Sequence, residues 1–129
     1  MGYERVLATG NNEILRLYCW SVICQNVHGK KITITTGLGV SHTRLRKVLQ
    51  STKGMDVRFD ISAEATGQLF ELIRHGVTWR DFQDRVSMIE KNGNKIRFLS
   101  TISNLSVLGF SDFYDLYSKD HDIILNTLL

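Results

Sequence analysis

The chain has 129 residues, of which 43% are hydrophobic and 22% charged, and it contains no proline. That length suits one domain with a real core, and the composition argues against a disordered tail or a stiff linker. A formal charge of +3 is only mildly basic, but it is unevenly spread: residues 1–60 hold nine Lys/Arg against four Asp/Glu, and residues 61–129 hold seven against nine.

Residues 14–27 are apolar on nearly every side, so their periodicity fits a buried helix or a strand buried on both faces. Asn12 as a cap and Glu13 in a first turn favour the helix. Tyr18, Trp20, Val22 and Ile23 favour the strand, with His28-Gly29-Lys30 as the turn of a hairpin into Ile32-Thr33-Ile34-Thr35-Thr36. Cys19 and Cys24 fit neither a redox pair nor a zinc knuckle and read as buried thiols of a reducing compartment. The opening residues lack the apolar region of a signal peptide, and the longest apolar stretch, 17–24, is far short of the roughly 20 residues of a membrane span. A cytoplasmic protein without a membrane partner is expected.

The spacing predicts a helix over 41–50, capped by Ser41, with Leu45, Val48 and Leu49 on its inner stripe. Val57, Phe59 and Ile61 alternate with Asp56, Arg58 and Asp60, the pattern of a strand with a charged solvent face. Ser62 is expected to cap a helix that runs to about His75, with Leu69, Leu72 and Ile73 inward and Gly76 as its stop. Thr78 and Asp81 have capping-box spacing ahead of Trp79, Phe82, Val86 and Ile89, so a further helix ends near Gly93. Trp79 and Phe82 read as core. Residues 95–102 alternate as a half-buried strand, and 111–129 read as an aromatic, acidic helix with Phe113, Leu116 and Tyr117 on one face. Together these elements give a single α+β domain over 1–129, with a mostly antiparallel sheet and three to four helices. The apolar end of the last helix offers a seam for a homodimer.

The strongest functional cue is electrostatic. No acidic residue lies between Glu13 and Asp56, while Arg16, Lys30, Lys31, Arg44, Arg46, Lys47 and Lys53 lie there. A field of one sign attracts polyanions. Within it, Leu38-Gly39-Val40-Ser41, then Thr43 and a basic helix, with apolar Ile34, Leu38, Val40, Leu45 and Val48, resembles the helix-turn-helix segment of bacterial and phage regulators. The resemblance covers 31–50, about a sixth of the chain. It implies that Ser41, His42, Thr43, Arg44 and Lys47 face DNA, the early ones toward bases and the later ones toward phosphates. A second local structure is open: β-branched residues 32–36 suit a strand, followed by a Gly37-Leu38-Gly39 turn and a helix whose free N–H groups can receive an anion.

The expected function is therefore a small, non-catalytic, regulatory nucleic-acid-binding protein, with DNA preferred over RNA. Its contacts would come from Lys30, Lys31, Ser41, His42, Thr43, Arg44, Arg46, Lys47 and Lys53. The alternative is a protein-binding adaptor or inhibitor of phage or plasmid type. A small metal-independent ribonuclease built from His28, His42, Lys30 and Arg44 stands third. His28, His42, His75 and His121 show no ligand spacing, so no metal is expected. Gly37-Leu38-Gly39 lacks both the third glycine of a dinucleotide fingerprint and the Lys-Ser/Thr of a P-loop, so no cofactor is expected. Asp112, Asp115, Asp120 and Asp122 read as a solvated face.

Overall fold

β-Branched and aromatic residues form most of the five strands among the described residues, and these lie side by side in chain order. The computed structural model describes residues 4–7 and 31–127. The strands are β1 (Glu4–Leu7), β2 (Lys31–Thr36), β3 (Asp56–Ser62), β4 (Lys95–Ile102) and β5 (Asp122–Thr127). Every neighbouring pair is parallel. α1 (His42–Ser51) joins β2 to β3, α2 (Gly67–Ile73) and α3 (Trp79–Lys91) join β3 to β4, and α4 (Phe110–Tyr117) joins β4 to β5.

The expected mixture of strands with three to four helices is present among the described residues, but the mostly antiparallel sheet is not. An all-parallel sheet needs crossover helices, and right-handed crossovers advancing in one direction place those helices on one face. The core follows that geometry. Ile32, Ile34, Val57, Phe59, Ile61, Ile96 and Phe98 are buried in one cluster with Leu45 and Leu49 of α1, Phe70 of α2, Phe82, Val86 and Ile89 of α3, and Phe113 and Tyr117 of α4. Residues of the other strand parity point away from this cluster and are mainly polar.

Capping decides several boundaries. Ser41 Oγ accepts from Arg44 N at 3.2 Å and starts α1, and Thr78 Oγ1 accepts from Asp81 N at 3.1 Å and starts α3. Trp79 and Phe82 stack at 5.5 Å beside Phe70; Phe82 is in the core as its spacing predicts, and Trp79 is partly buried against it. Ser62 does not cap a helix: it is the last residue of β3, and α2 begins only after Thr66. Leu72 is consequently exposed, and Phe70 takes the inward position. The expected C-terminal helix stops at Tyr117, and residues 122–127 form β5 at the sheet edge. The readings for 14–27, the buried thiols and the turn at 28–30 lie outside the described residues. Both edges of β2 are paired with parallel strands, β1 and β3. No described helix is long and apolar enough to cross a membrane.

Tyr117 illustrates how tightly α4 is seated. Its ring lies 4.5 Å from that of Phe98 and 5.1 Å from that of Phe113. Burial pushes its phenol well above the ordinary tyrosine range, and the Glu90 carboxylate adds to the effect. A raised folded-state value contributes stability fully below the unfolded value of about 10, and that contribution is lost as pH rises toward the folded value. Urea midpoints should therefore be level for this group up to about pH 9.5 and fall above about pH 10. Tyr117→Phe should flatten the difference, and an identical alkaline decline in both proteins would contradict the burial of the phenol.

Candidate ligand-binding rim

Each connecting helix begins where its strand has ended, so the carboxyl ends of β2, β3 and β4 share one rim of the sheet. β2 closes with Thr36, whose Oγ1 accepts from Leu38 N at 3.0 Å and turns the chain sharply. Leu38 is fully buried at φ 58°, a region that glycine enters freely and a bulky side chain avoids. Arg85 of α3 holds this turn, donating from Nη1 to Leu38 O at 2.7 Å. Strain of this kind, of order 1–3 kcal/mol, persists where the surroundings over-determine it, and it gathers at binding sites.

Past β3 the chain stays extended beside β4. Ala63 N donates to Leu99 O at 3.2 Å, and Ser100 Oγ donates to Ala63 O at 2.6 Å. This delivers Glu64 to the rim, where it is 5% exposed and accepts from Arg74 Nη2 at 2.7 Å. Arg74 Nε is a buried donor with no partner. Beyond β4, Ser103 N donates to Ser106 Oγ at 2.9 Å and closes a loop that presents Leu105, Val107 and Leu108 to solvent.

A polar row crosses the face opposite the described helices. Thr35 is in register with Asp60, Asp60 with Arg97, and Arg97 with Asp122. Asp60, expected on a solvent face, is fully buried: it accepts from Arg58 Nε at 3.1 Å, from Arg97 Nε at 3.2 Å and from Arg97 Nη2 at 2.6 Å. On β2 the buried hydroxyls of Thr33 and Thr35 make no hydrogen bond. At the opposite, amino-terminal edge lies a cleft of about 420 Å³ lined by residues that include Arg58, Lys95, Arg97 and His121.

The predicted nucleic-acid contacts lie along α1 and beyond its two ends. Lys30 lies outside the described residues. Lys31 opens β2 and Lys53 follows α1, both at the amino-terminal edge, whereas Ser41, His42 and Thr43 stand at the other end of α1, about 15 Å away for a helix of 10 residues. Arg46 and Lys47 are exposed between them and Arg44 is half-buried. The segment expected as the first helix of the motif is β2, a strand paired on both sides, so α1 is a crossover helix seated on the core through Leu45 and Leu49. The second local reading of this segment, strand, turn and helix, is the observed one.

The all-parallel sheet overturns the regulatory nucleic-acid reading, since convergent strand ends are the architecture of ligand-binding and catalytic domains. Of the ribonuclease set, His28 and Lys30 lie outside the described residues. Sequence reasoning missed Glu64, Arg74, Arg85 and the Asp60 cluster. Only the Arg58 and Asp60 pair left a local trace, two residues apart on one face of a strand. No protein-family model and no curated protein matches the chain.

Proposed function

We propose that this chain binds a polar small molecule, a cofactor or a substrate, over the rim formed by the carboxyl ends of β2, β3 and β4. The observation that carries the reading is the strand order: five parallel strands in chain order, with the described helices packed on one face, is the connectivity of a barrel wall. In such walls the loops at the carboxyl ends hold the ligand and the opposite ends serve stability. Glu64 supplies an acceptor for hydroxyl or amine donors, and Arg74 retains an unpaired donor beside it. The orphan hydroxyls of Thr33 and Thr35 suit a bound polar group or ordered water, because buried polar atoms without partners are rare. Leu105, Val107 and Leu108 offer an apolar wall of the kind such sites use for shape. A cytoplasmic setting belongs to the same reading, supported by only two cysteines at a spacing that fits no disulfide framework.

The test is a thermal-shift panel of nucleotide, nicotinamide, flavin, pyridoxal-phosphate and adenosyl cofactors. A stabilising compound should perturb the amide resonances of residues 37–41, 62–66 and 103–108, and Glu64→Gln should weaken it about tenfold. Hits that map instead to the cleft at Lys95 and His121, or a panel with no stabilising member, would overturn the proposal.

A further inference from the structure

We infer a divalent-cation site made by His42, Asp81 and Asp84, distinct from the rim ligand proposed above. His42 is the first residue of α1, while Asp81 and Asp84 are three apart on α3 and so share one helical face. The sequence separates His42 from the two carboxylates by about forty positions, and the fold brings one ligating atom of each to within 4.8 Å of the others. His42 and Asp81 are half-buried and Asp84 is exposed, so the site is open to solvent.

The convergence is built rather than incidental to two mobile side chains. The backbone that delivers His42 is fixed four residues earlier, where Arg85 Nη1 grips Leu38 O at 2.7 Å. The same guanidinium approaches Asp81 Oδ2 at 3.8 Å through Nη2, so one buried arginine sets both the turn before α1 and the face of α3 that meets it. Thr78 Oγ1 fixes the backbone N–H of Asp81 at the start of α3.

An imidazole nitrogen with two carboxylate oxygens favours a borderline divalent ion such as Zn²⁺, Co²⁺ or Mn²⁺ over Mg²⁺ or Ca²⁺, which prefer all-oxygen shells. Bonds of about 2.0–2.2 Å require the three ligand atoms to close by up to about 1.5 Å, within reach of side-chain rotations. Three protein ligands leave at least one position for water. Two features oppose the ion: the Arg85 charge next to Asp81 and the positive ends of two helix dipoles. The site should therefore bind in the micromolar range, weaker than a four-ligand structural zinc.

Calorimetric titration of the full chain with Zn²⁺ tests this. One ion per chain at micromolar affinity is expected, with His42→Ala and Asp84→Asn each weakening it at least tenfold. Asp84→Asn should keep the wild-type melting temperature without metal, because Asp84 is exposed, and the half-buried His42 is replaced also by Gln so that a loss of binding is read on a folded chain. Co²⁺ in place of Zn²⁺ should develop a visible d–d spectrum that His42→Ala abolishes. Millimolar Mg²⁺ should not compete. Absence of binding up to 1 mM Zn²⁺ overturns the site. Undiminished affinity in both variants overturns it equally, by placing the ion on other residues such as Cys19, Cys24 or His28.

Discussion

Asp60→Ala is expected to cost the fold about 3–5 kcal/mol, the range for breaking a buried ion pair by removing one partner. The Asp60 carboxylate is fully buried and accepts three hydrogen bonds from two arginines, Arg58 on its own strand and Arg97 directly opposite in register on β4. The two guanidinium groups are about one quarter exposed, at 23% each, so water would compensate them only in part once the carboxylate is gone. Without it two like charges face each other across neighbouring strands. Asp60→Asn should fall between alanine and wild type, since the amide keeps the shape and one acceptor but loses the charge. The triple replacement Arg58→Met, Asp60→Leu, Arg97→Met separates pairing from packing. If the cluster only neutralises itself, the triple variant should lie within about 1 kcal/mol of wild type, because apolar replacements of whole ion clusters are often neutral or better. Urea denaturation with linear extrapolation gives these differences, and a loss under 1 kcal/mol for Asp60→Ala would show that the arginines find water without strain.

The elements themselves were legible because their signals are local. Val57, Phe59 and Ile61 alternate with polar neighbours, as do Ile96, Phe98 and Ser100, and both segments are strands within a residue or two of their expected bounds. Ser41 and Thr78 mark helix starts by a hydrogen bond that spans three residues, which a sequence window contains. Strand direction was not legible, and the reason is physical. Alternation reports one apolar and one polar face, which is the usual signature of antiparallel sheets, whereas parallel sheets covered on both faces read as unbroken apolar runs. In this protein the described helices cover one face only, so its parallel strands alternate and mimic the antiparallel pattern. Residues 122–127 failed differently: an apolar run just after the helical spacing of Phe113 and Tyr117 reads as its continuation, and nothing local reveals the turn at 118–121. The candidate sites were invisible for a simpler reason. His42 meets Asp81 because the sheet places the starts of α1 and α3 on one rim, and Glu64 meets Arg74 because the end of α2 returns to the end of β3; spacing along the chain carries no record of either.

Phe98→Ala is the second change with a large expected effect, about 3–5 kcal/mol for removing a fully buried aromatic ring from a packed core. Its particular consequence is regional. Phe98 sits between Ile61 and Ile123 in register, and its ring meets Phe113 edge-on at 5.2 Å, Tyr117 at 4.5 Å and His121 at 5.6 Å. Phe113 and Tyr117 are the buried residues of α4, so this one ring is the floor on which the whole helix rests. β5 follows directly and is paired on its described side to β4 alone. Removing the ring should therefore free α4 and β5 before the rest of the sheet. Native-state amide exchange should lose protection mainly across residues 110–127, with β2 and β3 retaining most of theirs until global unfolding. A rim ligand held at Leu38 and Glu64 should still bind this variant, because its contacts lie on β2 and β3, while any grip on residues 103–108 is lost. Ile96→Val, one methylene smaller on the same strand, provides the scale at about 0.5–1.5 kcal/mol. Uniform loss of protection along the chain would mean that α4 and β5 are integral to a single cooperative unit, and it would make the rim inseparable from the edge that Phe98 supports.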